Sequence, residues 1–373
     1  MSADKKTMPY VRLGKSGLKV SRIILGLMQY GSTGWNEWVL GEKDAIEHIK
    51  FAYDNGIQTF DTANVYSNGL SEVILGNAIK KLQLPREEIV VMTKLHGAVA
   101  PRYDANIMRS GKTNDEWGLV NQYGQSRKHI FASVKASLER LQLDYIDLLQ
   151  CHRFDYDTPI EETMQALHDI VKAGYVRYIG MSSCWAYQFQ AMQNYAITNK
   201  LTPFISMQNH YNLVYREEER EMFPTLKEHP FSYFAARIYL LQTLLKQMFG
   251  VGAIPWSPLA RGLLARPLSE NTKRGSTDKF ISQYNQEGSG TPEIIKRVEE
   301  LAKKKGVSMA QVAIAWNLSK EGVTAPIVGT TSLENLKNII AAVHVKLTQE
   351  EISYLEEPYS PLPINEYSAV LYE

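Results

Sequence analysis

Four side chains that can exchange or stabilise protons follow successive apolar runs of the sequence. Asp61 and Tyr66 come after one short run, Lys94 after the next, and His152 just after the third. A carboxylate, a phenol, an ammonium and an imidazole are the groups that proteins use for acid and base chemistry. Singly each has an ordinary explanation, since Asp61 can cap a turn, Tyr66 can pack half-buried, and a lone Lys or His after a strand is usually a surface residue. Together, at the ends of parallel strands, they predict one site.

The segment from Gln58 to Glu72 reads QTFDTANVYSNGLSE and joins a predicted strand to a predicted helix. Asn68 and Gly69 permit the positive φ of a tight turn. Ser71 and Glu72 then begin an amphipathic helix. The turn therefore fixes an acid and a phenol where the strand ends.

Hydrophobic periodicity predicts an alternation of strands and helices along most of the chain. We expect strands near residues 22–28, 57–61, 88–93, 145–150, 176–181, 204–208, 251–256 and 325–328. We expect helices near residues 43–56, 71–83, 126–141, 159–174, 185–199, 216–247, 292–305 and 333–342.

Eight strands, each followed by a helix, predict an α/β fold of the (β/α)8 TIM-barrel type, because parallel strands need right-handed helical crossovers. An open doubly wound sheet is the competing fold. It would hold a dinucleotide through a GxGxxG turn after the first strand, and that turn is absent. Two alternating runs at residues 10–21 predict a β-hairpin that plugs one end of the barrel. Insertions at residues 98–125 and 261–290, and the segment after residue 359, are expected to be loops at the mouth.

Composition places the chain among soluble enzymes that act on small molecules. Its 373 residues carry 41 basic and 40 acidic side chains, so charge predicts neither a nucleic-acid partner nor a membrane surface. The two cysteines and the absence of a secretory signal or a long apolar run predict a cytoplasmic protein. Cys151, His152 and Cys184 lack the spacing of a zinc site, and no metal is expected.

A resemblance to the aldo-keto reductase family, in the style of its fungal aryl-alcohol-dehydrogenase-like members, rests on six stretches in order: GLKVS, FDTANVYSNGLSE, LLQCHRFD, YIGMSS, WSPLARG and PIVGTTSLENL. It covers about residues 9 to 358. It implies a barrel that binds NADPH (NADP+) without a Rossmann motif and reduces a small-molecule carbonyl substrate. The catalytic tetrad that it implies is Asp61, Tyr66, Lys94 and His152.

These four roles agree with the chemistry of carbonyl reduction, in which negative charge develops on the carbonyl oxygen. Tyr66 would donate the proton, and a buried ammonium at Lys94 is expected to lower the pKa of that phenol. Asp61 would keep Lys94 charged. His152 would orient the substrate oxygen by a hydrogen bond.

The resemblance also implies cofactor-binding residues at the ends of the later strands. Ser182, Ser183 and Gln208 would hold the nicotinamide carboxamide, although many relatives have Asn in place of Ser183. Trp256 would stack on the nicotinamide, and the pyrophosphate would be covered by the loop of Ser257, Pro258, Leu259 and Arg261. The start of the helix after strand eight suits a phosphate. The residues that the resemblance implies there are Gly329, Thr330, Thr331 and Asn335. Asn335 would face the adenine. The ordinary explanation of that stretch is a capped helix start. The preference for NADPH over NADH rests mainly on the family, because the basic partner expected for the 2′-phosphate is not obvious in this sequence. Thr331, Ser332 and Lys337 are available to that phosphate.

We interpret residues 1–373 as one barrel domain, with its core at about 9–345, a tail at 346–373 and an unusual apolar insertion at about 228–248. The insertion is expected to pack on the outer helices, to form an interface, or to be an intron read as coding sequence. A barrel of this family can alternatively serve as a regulatory or scaffold subunit that senses nucleotide with little turnover. The oligomeric state is left open.

Overall fold

The parallel strands form one sheet that closes into a barrel. We describe a computed structural model that covers residues 8–364 except 108–109, 228–248, 271–277, 285 and 287. The strands lie side by side in chain order, with the last beside the first. They are β3 (Ile24–Gly26), β4 (Thr59–Asp61), β5 (Val90–Leu95), β6 (Ile146–Cys151), β7 (Val176–Ser182), β8 (Phe204–Gln208), β9 (Gly252–Ala253) and β10 (Ile327–Val328).

Hydrogen bonds between the segments of β9 and β10 close the barrel. The amide of Ile327 donates to the carbonyl of Pro255 at 2.8 Å, and Ala253 pairs in parallel with Val323. A doubly wound sheet would instead reverse its strand order and keep two open edges. The (β/α)8 prediction is therefore confirmed.

An antiparallel hairpin of β1 (Tyr10–Arg12) and β2 (Lys19–Ser21) precedes the barrel, as predicted. Leu13 and Val20 of this hairpin are buried in an apolar cluster with barrel residues. The barrel residues of this cluster are Ile24, Val90, Met92, Leu148, Ile254, Ala325 and Ile327. The hairpin thus fills the end of the barrel opposite to the strand ends that carry the candidate site.

Helices pack around the barrel, where their buried faces join the main apolar core. They are α1 (Glu42–Asp54), α2 (Leu70–Lys81), α3 (Arg127–Leu141), α4 (Ile160–Lys172), α5 (Ala186–Thr198), α6 (Met222–Leu226), α7 (Thr291–Lys305), α8 (Met309–Ser319), α9 (Leu333–Ala341) and α10 (Gln349–Glu356). None of the helices in the described part of the chain has the length and apolarity to cross a membrane.

The structure differs from the predicted helices in three places. Helices α8 and α10 were not predicted. The predicted helix at 216–247 is wrong in its described part, which holds a 3-10 turn at Glu217–Glu219 and then the short α6. Helix α6 ends because Lys227 has an extended backbone, with ψ of 150°. The remainder of that prediction, including the insertion at 228–248, lies outside the described residues.

Candidate active site

A buried ion pair lies at the ends of β4 and β5. The Nζ atom of Lys94 lies 2.5 Å from Oδ2 of Asp61, and their side chains are 0% and 2% exposed. Nζ also donates to the carbonyl oxygen of Thr62 at 2.9 Å. Burial alone would lower the pKa of Lys94, but the charges and hydrogen bonds of Asp61 and Tyr66 raise it above its ordinary value. Lys94 is therefore an ammonium across the neutral pH range.

Tyr66 lies within hydrogen-bond distance of the same ammonium. Lys94 Nζ donates to the Tyr66 hydroxyl oxygen at 3.3 Å and lies 5.0 Å from the centre of its ring. The ring is half-buried. A single ammonium thus bridges a carboxylate and a phenol.

The pKa of Tyr66 differs from the expectation. Burial raises this pKa most strongly, Lys94 lowers it, and Asp61 raises it again, so the net shift is upward from 10.0. The effect of Lys94 has the predicted sign, but it does not outweigh desolvation. The phenol is therefore held protonated, as a proton donor must be before it reacts.

The imidazole of His152 lies beside the phenol. The rings of Tyr66 and His152 are 5.9 Å apart at their centres and cross at 84°. Burial, followed by the charges of Arg153 and Lys94, lowers the pKa of His152 well below 6.5. A neutral imidazole can donate one hydrogen bond to a carbonyl oxygen without carrying charge.

Two glutamine amides complete the coordination of Asp61. Gln150 and Gln208 donate to its Oδ1 atom at 3.0 and 2.9 Å, and Gln208 also donates to Oε1 of Gln150 at 2.8 Å. Gln208 was predicted to hold the cofactor, whereas in the structure its amide nitrogen contacts the carboxylate. Gln150 was not predicted. Its signal was present, because a polar amide inside the buried strand LLQC needs an internal partner.

The predicted nicotinamide-binding residues lie at the ends of β7, β8 and β9. Ser182 donates its hydroxyl to the carbonyl of Gln208 at 2.7 Å, and the indole nitrogen of Trp256 donates to the Ser183 hydroxyl at 3.1 Å. His210 stacks on Trp256, with the ring centres 4.1 Å apart. One face of the indole is thereby covered, so any further ring must use the other face.

The loop after Trp256 has a backbone suited to an anion. Ser257, Ala260 and Arg261 have positive φ values of 52°, 46° and 57°. Left-handed residues among right-handed ones can turn neighbouring amides towards an anion. In this loop the amides of Ala260 and Gly262 already donate to the carbonyls of Ser257 and Leu259, so only the remaining amides could do so. Pro258 and Leu259 lie inside this turn, and Arg261 forms a 2.8 Å salt bridge to Asp278.

The segment after β10 begins a helix as predicted. Ser332 caps α9, its hydroxyl accepting from the amide of Asn335 at 3.3 Å. Gly329, Thr331 and the Asn335 side chain are exposed, and Thr330 is half-buried. The amides at this helix start favour a phosphate.

The mouth of the barrel holds buried polar atoms that a bound ligand could satisfy. Oδ1 of Asn209 and Nε of Arg261 are buried polar atoms without a hydrogen-bond partner among the described residues, and they lie on the loops after β8 and β9. Such atoms are rare unless a ligand or water satisfies them. No three His, Cys, Asp or Glu side chains within the described ranges group closely enough to hold a metal ion. Cys151 and Cys184 are buried free thiols.

Comparison with known proteins agrees with this geometry. The family model described as "Aldo/keto reductase family" matches residues 22–359. The chain is 49% identical to versiconal hemiacetal acetate reductase of Aspergillus parasiticus, over 96% of this chain and 99% of that protein. It is 45% identical to an aldo-keto reductase of Metarhizium robertsii, over 98% and 95% of the two chains.

A fission-yeast relative from Schizosaccharomyces pombe, named provisionally as an aryl-alcohol dehydrogenase, is 47% identical over 95% of this chain and 97% of its own. The predicted family resemblance is confirmed. These proteins align over almost their whole lengths, and the family is one of oxidoreductases that act on small carbonyl compounds with a nicotinamide cofactor. The chain has a closed barrel and a buried Lys94–Asp61 pair within hydrogen-bond distance of Tyr66, and it belongs to the aldo/keto reductase family.

Proposed function

We propose that this protein is an NADPH-dependent reductase of aromatic or small aldehydes and ketones, with Tyr66 as the proton donor. The observation that carries the proposal is the position of Lys94 Nζ, which lies 2.5 Å from Asp61 Oδ2 and 3.3 Å from the Tyr66 hydroxyl. This arrangement places a protonated phenol next to a permanent positive charge. Both are needed where a carbonyl oxygen becomes negative.

A bound nicotinamide supplies the hydride for the carbonyl carbon. Tyr66 gives its proton to the carbonyl oxygen, and the resulting phenolate lies next to the ammonium of Lys94. Lys94 then lies between two negative groups, the Asp61 carboxylate and the Tyr66 phenolate. Lys94 stays protonated and Asp61 stays deprotonated throughout. The proton that Tyr66 loses is replaced from solvent, so that one aldehyde, one reduced cofactor and one proton give one alcohol and one oxidised cofactor.

His152 acts as a positioning donor. Its depressed pKa keeps the imidazole neutral, so it can hydrogen-bond the substrate oxygen without competing with Tyr66 as an acid. Gln150 and Gln208 act through Asp61 rather than on the substrate. They satisfy the second oxygen of Asp61 and so prevent that carboxylate from rotating away from Lys94.

The residues that would hold the cofactor are Ser182, Ser183, Trp256, the turn Ser257–Arg261 and the start of α9. His210 stacks on one face of Trp256, so the nicotinamide would stack on the opposite face. We assign NADPH rather than NADH, with Thr331, Ser332 and Lys337 available to the additional phosphate.

The substrate class follows the relatives, one of which is named for a hemiacetal acetate and one for aryl alcohols. We also propose a cytoplasmic location, which two buried thiols suit.

The experiment that tests this function is NADPH consumption with a panel of aromatic and aliphatic aldehydes, followed by absorbance. Turnover should be faster with NADPH than with NADH, and at least one aldehyde should support sustained cycles. Tight NADPH binding without turnover on any member of the panel would instead identify a nucleotide-sensing subunit and refute the assignment.

A further inference from the structure

The turn that follows Tyr66 is built from three residues in left-handed conformations. The φ and ψ angles are 47° and 40° at Ser67, 51° and 43° at Asn68, and 92° and −7° at Gly69. Only Gly, and to a smaller extent Asn, adopts this region readily. Three such residues in succession hold their shape only where the surrounding structure fixes them.

The side chain of Asn68 binds one loop through all of its polar groups. Its amide nitrogen donates to the carbonyls of Arg102 and Ala105 at 2.9 and 2.7 Å, and its amide oxygen accepts from the amide of Ala100 at 3.1 Å. Asn68 is 5% exposed, so water does not compete with these bonds. The segment at residues 100–105, which we call the mouth segment, is thereby attached to the turn of the candidate proton donor.

Neighbouring contacts extend this attachment across the mouth. The Ser67 hydroxyl accepts from the amide of Ser32 at 3.1 Å, which fixes the loop after β3. That loop also contacts the residue directly after the mouth segment, since the side chain of Asn106 donates to the carbonyl of Trp35 at 3.3 Å. Two loops at the open end of the barrel therefore take their position from residues 67 and 68.

The remaining residue of the turn is fixed from the other side. A Cβ atom at Gly69 would lie 2.6 Å from Cδ of Arg140. Arg140 forms a 2.6 Å salt bridge to Glu72, which is itself buried and accepts from Thr93, the residue before Lys94. The turn is thus connected to the strand that carries the ammonium. The mouth segment and the reacting groups are therefore held in position by one connected set of contacts.

We propose that Asn68 is a specificity-determining positioning residue, which sets the distance between the mouth segment and the Tyr66 hydroxyl and so selects substrates that extend beyond the carbonyl group. The inference rests on the function proposed above. A carbonyl compound with one or two aromatic rings contacts the mouth segment while it reacts. A two-carbon aldehyde does not reach it. Loss of the Asn68 side chain then harms the first class and spares the second.

Two variants test this role. Asn68→Gly keeps the left-handed backbone and removes all three hydrogen bonds. Asn68→Asp keeps the acceptor for Ala100 but turns a carboxylate oxygen towards the carbonyls of Arg102 and Ala105. The matched control is Asn121→Gly, because Asn121 is an exposed Asn with a positive φ of 59°.

In Asn68→Gly we expect kcat/KM for naphthaldehyde to fall about 10- to 100-fold, which is the loss that misplacement of a substrate by about 1 Å produces. For acetaldehyde we expect kcat/KM to fall less than about threefold. The dissociation constant for NADPH should be unchanged. Hydrogen exchange at residues 100–105 should accelerate in both Asn68 variants and not in the control. Equal losses for the two aldehydes, or an unchanged exchange rate at Ala100 in Asn68→Gly, would overturn the proposal.

Failure of the proposed function is distinguishable from failure of this inference. If the protein turns over no aldehyde, the hydrogen-exchange measurement still decides whether Asn68 holds the mouth segment. If turnover occurs but Asn68→Gly slows both aldehydes alike, the reductase assignment stands and the selective role of Asn68 does not.

Discussion

Lys94 Nζ and Asp61 Oδ2 are 2.5 Å apart inside the barrel, with side chains that are 0% and 2% exposed. Two charges removed from water in this way stabilise each other only as a pair, since each alone would bear the full penalty of desolvation. The pair is therefore both a structural element and the source of charge for the candidate site.

The first prediction concerns the stability of this ion pair. Lys94→Met or Asp61→Asn should each lower the free energy of unfolding by about 3–5 kcal/mol, because each leaves the other partner without its counter-charge. The double variant should lose clearly less than the sum. Urea denaturation of the four proteins measures the coupling. Lys50→Met is the control, since Lys50 pairs with Asp54 at an exposed surface and should cost less than about 1 kcal/mol. Simple additivity of the two buried changes would contradict the prediction.

The second prediction concerns Tyr66→Phe, which removes the hydroxyl and little else. Aldehyde reduction should fall by about 10²- to 10⁴-fold, the usual contribution of a general acid, while the dissociation constant for NADPH stays almost unchanged. Steady-state rates and a cofactor titration give the two values. Tyr354→Phe, at an exposed tyrosine of α10, is the control and should keep its activity. Retention of more than about a tenth of turnover would show that another group is the acid.

The third prediction concerns stability at mildly acidic pH. Burial lowers the pKa of His96 to about 4, and burial likewise holds the pKa values of His152 and His210 well below 6.5. Between pH 6.5 and pH 4 the unfolded chain therefore binds more protons than the folded protein, so the free energy of unfolding must fall as the pH falls. Each such histidine contributes up to about 1.4 kcal/mol per pH unit.

Urea midpoints measured at pH 7.5, 6.5, 5.5 and 4.5 test this dependence. His96→Asn should reduce the slope below pH 6.5, whereas Lys43→Met, at an exposed position of α1, should leave it unchanged. A midpoint that stays constant from pH 7.5 to 4.5 would mean that these imidazoles are not held neutral in the folded protein.

The fourth prediction concerns Trp256. Trp256→Ala should weaken NADPH binding by about two- to tenfold, because a stacked aromatic contributes roughly 0.5–1.5 kcal/mol beyond its buried area. The quenching of protein fluorescence on titration should also diminish. Trp117→Ala, on the long loop after β5, should leave the dissociation constant unchanged. Equal affinities for the wild type and Trp256→Ala would remove this indole from the cofactor site.

The fifth prediction concerns deletion of residues 228–247. Val251 donates its amide to the carbonyl of Leu226 at 3.1 Å, so the chain on the two sides of the insertion is already joined. The deletion should leave turnover within about threefold and raise the soluble yield. Lower turnover or an insoluble product would assign the insertion to the barrel, and loss of an oligomer in sedimentation would assign it to an interface.

The sequence predicted the barrel and the positions of its acid and base groups well, because buried parallel strands are short apolar runs and their ends mark the mouth. Helix α8 was missed because nearly all of its residues are buried, as at Val312 and Trp316, and a helix that is apolar on every side shows no period of 3.6. The extra left-handed residue at Ser67 was not predictable, since Ser carries no signal for positive φ and tertiary contacts impose it.

The pKa of Tyr66 shows a second limit of prediction from residue types. The sign of the effect of Lys94 follows from charge, but the sum depends on how much water the fold removes around the hydroxyl. For Gln150 the sequence indicates that an internal partner is needed, but the identity of that partner as Asp61 depends on the side of the strand that faces the carboxylate. Neither the extent of desolvation at Tyr66 nor the partner of Gln150 follows from the spacing of the residues.

The hairpin that fills one end of the barrel also bears on how the proposed reaction would exchange protons with water. Leu13, Val20 and the apolar barrel residues around them form a buried apolar layer at that end of the barrel, and the Lys94–Asp61 pair is buried as well. In the proposed reaction, every proton that Tyr66 gives up would therefore be replaced through the open end, where substrate would enter and alcohol would leave. Proton resupply and product release would then share one route, and a ligand that stays in the mouth would also delay the reprotonation of the phenol.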